Sequence, residues 1–168
     1  MSLIADIASW DMKSRLDITD IYDRYSSEFE FTREIVDAIS QVELQRGATW
    51  LLKQYLSDGN TIGLSQTEAI YSRLDDLDHW ESQLHILQCS PFLQIPETRL
   101  PIVESFLRAC IKSERKFVRA WAYSGFFELA AQYPVFQNEA VLLLETALEM
   151  ESAGSVKARI RKALKKGF

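Results

Sequence analysis

The sequence contains little of the two residues that end helices and form tight turns, with 6 glycines and 4 prolines among 168 residues. Proteins built from many short strands need both residues at their turns. No apolar run reaches the roughly 18 residues of a membrane helix, and the first residues lack the basic start and apolar run of a signal peptide. These absences disfavour all-β, collagen-like and membrane-spanning proteins. We expect a cytoplasmic protein with no membrane partner.

Catalytic and cofactor-binding motifs are also missing: there is no Gly-x-Ser-x-Gly, no Gly-x-Gly-x-x-Gly and no P-loop. Cys89 and Cys110 lack metal-ligand spacing and are typical of small core residues in a reducing compartment. His85 lies four residues before Cys89, and Asp78 and Glu81 precede it on the same predicted helix. These patterns favour a buried cysteine and carboxylates at a helix N-terminus over a catalytic pair or a metal site. We therefore predict no catalytic residue, no cofactor and no metal.

The apolar residues that are present follow a helical period. One stripe advances in steps of three and one through Val118, Trp121, Ala122, Gly125, Phe126 and Leu129. Ser27–Glu30 and Ser65–Glu68 match the capping-box pattern, and the sequence from Asp58 to Asn60 predicts a helix end. In the first 74 residues the pattern predicts helices at about 3–16, 17–26, 28–41, 43–57 and 65–75. The sequence predicts an all-α protein with one domain.

Apolar positions also recur at a spacing of 38 residues. Trp80, Leu84 and Leu87 shift onto Val118, Ala122 and Gly125, and again onto Val156, Ile160 and Ala163. A second helix repeats in the same way, because Val103, Phe106, Ala109 and Cys110 shift onto Val141, Leu144, Ala147 and Leu148. The units are 79–116 and 117–154, followed by a half unit, 155–168. A pair of helices cannot bury its apolar face alone, so such units stack into a solenoid.

Two consequences of this repeat concern the core. We expect nearly complete burial for the residues that lie on repeated stripes, namely Val118, Phe126, Leu144, Leu148 and Ile160. Gly125 lies in the middle of a predicted helix, where glycine costs about 1 kcal/mol relative to alanine. Its predicted role is therefore to let a neighbouring helix approach closely.

The segment from Lys116 to Ala122 and its echo from Ser155 to Ile160 resemble the first helix of HEAT repeats. That family commonly has Val-Arg or Val-Lys there, and this chain has Val118-Arg119 and Val156-Lys157. The resemblance covers residues 75–168, a run that is also similar to small bacterial HEAT-like proteins. It implies a right-handed α-α superhelix of paired antiparallel helices, in which 1–74 forms degenerate or capping helices and the last helix is a C-terminal cap. Glu114 and Ser152 stand where HEAT turns often carry aspartate.

In HEAT proteins the second helices line the concave side, and the resemblance implies a partner-binding surface there. The candidate residues are Arg99, Glu104, Arg108, Lys112, Leu142, Thr146 and Met150. A mixed polar surface with an exposed leucine and methionine suits a protein or peptide partner better than a phosphate backbone. We therefore predict a non-catalytic protein-protein interaction or scaffold module.

The charge is distributed unevenly: residues 1–90 carry a net charge of −9 and residues 91–168 a net charge of +4. The last 14 residues contain no acid and six bases, Lys157, Arg159, Arg161, Lys162, Lys165 and Lys166. We expect these bases to point outward as a solvated cap. The alternatives are a nucleic-acid-binding or base-repair HEAT-like protein that uses this basic half, and an enzyme or lyase subunit that needs a partner chain. The total charge of −5 disfavours nucleic acid, the tryptophans Trp80 and Trp121 fall on a predicted core stripe, and we predict a monomer.

Overall fold

A computed structural model describes all residues, 1–168, as ten α-helices with four short 3-10 segments and no β-strand, which confirms the all-α prediction. None of the helices has both the length and the apolar composition needed to cross a lipid bilayer. The helices are α1 (Leu3–Ser9), α2 (Arg15–Tyr25), α3 (Phe31–Ala38), α4 (Gln45–Ser57), α5 (Leu64–Tyr71), α6 (Trp80–Cys89), α7 (Leu100–Ile111), α8 (Lys116–Gln132), α9 (Gln137–Met150) and α10 (Gly154–Lys166).

Helices α4, α6, α8 and α10 form a row in which each helix packs against the next. Contacts between equivalent ends show that the row is parallel. At the starts of α4 and α6, Arg46 pairs with Glu81 at 2.8 Å, and near the ends of α8 and α10, Glu128 pairs with Lys166 at 2.7 Å. The end of α8 likewise lies beside the segment that follows α6, because the Gln132 amide donates to the Leu93 carbonyl at 3.1 Å and accepts from the Ile95 N–H at 2.7 Å.

Helix α9 packs against α8 and α10 beside this row and runs antiparallel to α8. The turn at Pro134–Phe136 joins the end of α8 to the start of α9. Near the start of α8, Arg119 binds Glu151, the residue that follows α9, through two hydrogen bonds of 3.0 and 2.9 Å. The guanidinium also donates to the carbonyls of Ser113 and Glu114. Arg119, the arginine of the Val-Arg pair, thus connects the start of α8 to the end of α9.

Most of the apolar positions that recur at 38 residues lie in the core or pack against it. Val118, Phe126, Leu144 and Ile160 are completely buried, as predicted, whereas Leu148 is only half-buried. The predicted stripe is wrong at Ala109, which is exposed, and at Trp121, which is half-buried.

The five predicted helices of the N-terminal part exist, but most are shorter than expected. Helix α1 ends at Ser9, and Met12 has a φ of 62°, which breaks the predicted helix at 3–16. Both predicted capping boxes are wrong. Helix α3 begins at Phe31 after Glu30, with no side-chain cap, and α5 is capped by Gly63, whose N–H donates to the Gln66 side chain. Serine and glutamate at capping-box spacing did not mark the first residue of either helix.

Candidate functional site

Arg108, one of the predicted partner-binding residues, is bound to other parts of the protein. Its guanidinium donates to Glu139 on α9 at 2.7 Å and to Glu104 on its own helix at 2.8 Å. It also lies over the Phe126 ring, 5.0 Å from the ring centre. The hydrogen bonds to Glu139 and Glu104 raise the Arg108 pKa, and the bond from Arg108 lowers the Glu139 pKa. Glu104 and Arg108 therefore connect α7 to α9. Most of their hydrogen-bonding groups are already used within the protein, and few remain for an external ligand.

Arg99 and Lys112 lie at opposite ends of α7. Arg99 approaches Glu68 of α5, with 4.0 Å between Nε and the carboxylate oxygen, and its Nε is buried without a hydrogen-bond partner. The neighbouring Thr98 hydroxyl donates to the same carboxylate at 2.7 Å. Lys112 is exposed and forms no ion pair. Of the four predicted residues on or beside α7, only Lys112 has no charged partner.

The three predicted residues on α9 are all exposed. Leu142 is 66% exposed and Met150 81% exposed, and Thr146 lies between them on the same side of the helix. We call these three residues the α9 surface. Beside it lies an open recess of about 430 Å³. The recess is lined by Arg119, Tyr123, Leu143, Thr146, Ala147, Met150, Glu151 and Ser152.

The walls of this recess are of two kinds. Arg119 and Glu151 form one wall with their paired charges, and the hydrogen bonds from Arg119 lower the Glu151 pKa. Leu143, Tyr123 and Met150 supply carbon-rich surface, and burial raises the Tyr123 pKa, which keeps the phenol neutral. The recess can therefore accept an apolar side chain and offer a polar edge to the backbone beside it.

A second recess lies beside α7. It measures about 370 Å³, and its lining residues Ser105, Ala109 and Ser113 are the 38-residue counterparts of Leu143, Ala147 and Glu151. The segment 74–77 packs on α7 and contributes to the lining of this recess. No corresponding segment lines the recess beside α9. The α9 recess is consequently the more open of the two. Its wall contains Leu143, whereas the smaller Ser105 occupies the corresponding position in the recess beside α7.

Two of the six C-terminal bases have partners on α8. The Arg159 guanidinium lies 3.7 Å from the centre of the Trp121 ring, and Lys166 pairs with Glu128. The prediction that these bases point outward is wrong for Arg159, which is half-buried on Trp121, whereas Lys166 is exposed and pairs with Glu128 at the surface. Lys157 is half-buried and makes no ion pair, and the exposed bases without an ion pair are Arg161, Lys162 and Lys165.

His85 and Cys89 lie in the core between α4 and α6. The Thr49 hydroxyl lies 2.7 Å from the Gln45 carbonyl oxygen and 3.0 Å from His85 Nδ1, and the His85 tautomer decides which of the hydroxyl and the ring nitrogen donates. Burial lowers the His85 pKa to about 3 and raises the Cys89 pKa to about 12. At neutral pH the histidine is uncharged and the cysteine is a thiol. Since the thiolate is the nucleophile, burial of the Cys89 thiol makes it a poor nucleophile, and both side chains contribute to the packing between α4 and α6.

The metal-binding alternative at Asp78, Glu81 and His85, which the sequence disfavours, does not assemble. Glu81 pairs with Arg46, and His85 is turned toward Thr49. No group of three possible metal ligands comes together anywhere in the structure.

We expect acid to destabilise the protein through His85. The unfolded chain binds a proton at this residue near pH 6.5, whereas the folded chain binds it only near pH 3. Stability therefore falls as the pH drops through this interval, by about 2 kcal/mol between pH 7.5 and 5. Urea unfolding across this range measures the change. His85→Gln keeps a hydrogen-bond donor but cannot titrate, so its stability should depend less on pH, and an unchanged pH dependence would contradict the prediction.

Sequence reasoning missed several residues of the recess, notably Tyr123, Leu143 and the Arg119–Glu151 pair. The Val118-Arg119 pair was a signal in the sequence for Arg119. It did not identify Glu151 as the partner of this arginine. The chain matches no protein-family model, and comparison with curated proteins and with solved structures gave no significant match.

Proposed function

We propose that this protein is a non-catalytic interaction module with HEAT-like architecture that binds a partner protein at the α9 surface and its recess. The observation that carries the proposal is the exposure of Leu142 and Met150 on one side of α9, beside an open recess. Large apolar side chains grouped around a concave site are typical of protein interaction surfaces. Methionine suits this role because its flexible thioether adapts to different partners.

The charge of α9 favours a protein over a nucleic acid at this site. The helix contains Glu139, Glu145 and Glu149 and no lysine or arginine, and Glu151 follows its last residue. A phosphate backbone would be repelled by these carboxylates, since nucleic-acid binding depends on lysine and arginine contacts to phosphates. The supported partner therefore presents an apolar segment flanked by bases. In the HEAT-like arrangement, α7 and α9 would lie together on the concave side, with Arg108 and Glu139 holding them in contact.

Site-specific photocrosslinking in the native host tests this proposal. A photoreactive amino acid at position 150 or 142 is expected to capture the same partner protein. The matched control is position 16 on α2, where Leu16 is also apolar and 78% exposed, and it should not capture that partner. Capture should also decrease at position 150 when Leu142→Glu is introduced, because the charge opposes an apolar contact.

Two outcomes contradict the proposal. One is that positions 142, 150 and 16 give the same crosslinked proteins, which would indicate nonspecific contact. The other is that positions 142 and 150 give no specific product. If a partner is captured and the complex gains an enzymatic activity that neither chain has alone, the protein is a subunit of an enzyme, as in the alternative raised by the sequence.

A further inference from the structure

Most arginines of this protein pair with carboxylates, but two lie on tryptophans instead. Seven of the 11 arginines are within 4.0 Å of a carboxylate oxygen. The four without such a partner are Arg15, Arg115, Arg159 and Arg161. Of these, Arg115 lies 4.8 Å from the centre of the Trp80 ring and Arg159 lies 3.7 Å from that of Trp121. Arg159 thus has the closest ring contact and no hydrogen bond to another part of the chain.

Arg159 lines a groove between α8 and α10 of about 240 Å³. Trp121, Phe127 and Pro91 provide its apolar walls, and Lys162 adds a second cation without an ion pair. At the C-terminal end of the groove, Lys166 is neutralised by Glu128. The groove therefore contains two available cations beside aromatic surface, and its only carboxylate is already paired.

The contact with Trp121 prepares Arg159 to bind an anion. Stacking on the indole orients the planar guanidinium and reduces the side-chain entropy that would be lost on binding. The guanidinium presents its N–H donors in a fork that matches the two oxygens of a carboxylate. Partial burial lowers the Arg159 pKa, and Arg159 has no ion pair that would offset the loss of water. An incoming carboxylate would supply that missing partner.

We propose that the groove between α8 and α10 binds an acidic segment of a protein, with a carboxylate on Arg159 and Lys162 and a neighbouring apolar side chain against Trp121 and Pro91. A short peptide fits because the available positive charge is local. An extended nucleic acid needs a long line of cations along its backbone, and the groove itself offers only Arg159 and Lys162, beside the carboxylate of Glu128. The site is separate from the α9 surface and depends on different contacts.

Fluorescence anisotropy with a short fluorescein-labelled peptide of repeated Glu-Glu-Phe units tests the proposal. Arg159→Gln is expected to weaken binding about tenfold or more, because it removes a charged hydrogen-bonding fork. Arg161→Gln is the matched control, since it removes the same charge from the same helix at an exposed position without a tryptophan contact. This control should change affinity by less than about twofold, as expected for an isolated surface charge.

Further controls test whether binding depends on the planar guanidinium of Arg159 and on the carboxylates of the peptide. Arg159→Lys keeps the charge without the planar fork and should give an intermediate loss of affinity. A peptide with glutamine in place of glutamate should not bind. Thermal unfolding by circular dichroism verifies that each variant is folded.

Three results would overturn the proposal: equal losses for Arg159→Gln and Arg161→Gln, absence of binding by the wild type, or tighter Arg159-dependent binding of a labelled single-stranded oligonucleotide. The last result would assign the groove to nucleic acid. Crosslinking at position 150 should be unaffected by Arg159→Gln, so a failure at this groove is distinguishable from a failure of the proposed function.

Discussion

Replacing Leu144 with alanine is expected to lower the free energy of unfolding by roughly 2–5 kcal/mol. Leu144 is completely buried on the side of α9 that faces the core. Its truncation removes apolar contacts and leaves a cavity that the surrounding helices cannot fully close. Leu144 also corresponds to buried Phe106 at the 38-residue spacing, so the position belongs to the repeated core. Urea unfolding at constant pH measures the difference.

Leu142→Ala is the matched control for this experiment. The two leucines are two residues apart on the same helix, but Leu142 is mostly exposed. Its truncation should change stability by less than about 0.5 kcal/mol, as for other surface substitutions. Similar losses for Leu142→Ala and Leu144→Ala would mean that α9 is rotated about its axis, and the α9 surface would then be assigned to the wrong residues.

Replacing Gly125 with leucine is expected to lower stability by more than about 1 kcal/mol. Even a Cβ atom at this position would lie 2.8 Å from Leu107 Cδ2 on α7, with Ser90 Oγ and Leu87 Cδ2 also within contact distance. Leucine adds a larger group to a space that is already filled, and overpacking typically costs 1–3 kcal/mol. The higher helix propensity of leucine offsets only part of this loss.

Two variants test whether contact with α7 causes this effect. Leu107→Ala should reduce the additional loss from Gly125→Leu, because it removes the atom that a new side chain would meet, and a double-mutant cycle measures the coupling. Ala131→Leu is the control on the same helix, at an exposed position, and should be close to neutral. A neutral effect of Gly125→Leu would show that the packing between α7 and α8 differs from the one described.

The periodicity of the sequence predicted the inner sides of the helices because burial of apolar residues dominates their packing. Val118, Phe126 and Ile160 are buried for this reason, and Gly125 meets α7 as its position indicated. Helix beginnings were harder to predict. At α5 the Gly63 N–H donates to the Gln66 side chain. This cap competes with the one predicted at Ser65, and the two alternatives differ little in free energy. The hydrophobic pattern is insensitive to shifts of one or two residues at an exposed helix end.

The candidate surfaces could be predicted only in part, because periodicity gives the side of a helix and not the partner of a side chain. Leu142 and Met150 were expected to be exposed and are exposed. Arg108 and Arg159 were assigned to surfaces as well, yet one binds Glu139, 31 residues away, and the other lies on Trp121. A long charged side chain can reach several neighbouring helices, and the one that it reaches is decided by their separation in three dimensions.

The parallel row of α4, α6, α8 and α10 also determines the order in which the helices can pack while the chain is being synthesised. Side-chain hydrogen bonds between helices join residues that are at most 39 positions apart, as in the contacts of Gln132 with Leu93 and of Lys166 with Glu128. Each helix of the row therefore meets its partners among residues made shortly before it. Folding from such local contacts is fast because little chain entropy is lost in closing each loop. The row can grow in the direction of translation, with α10 added last onto a surface already formed by α8 and α9.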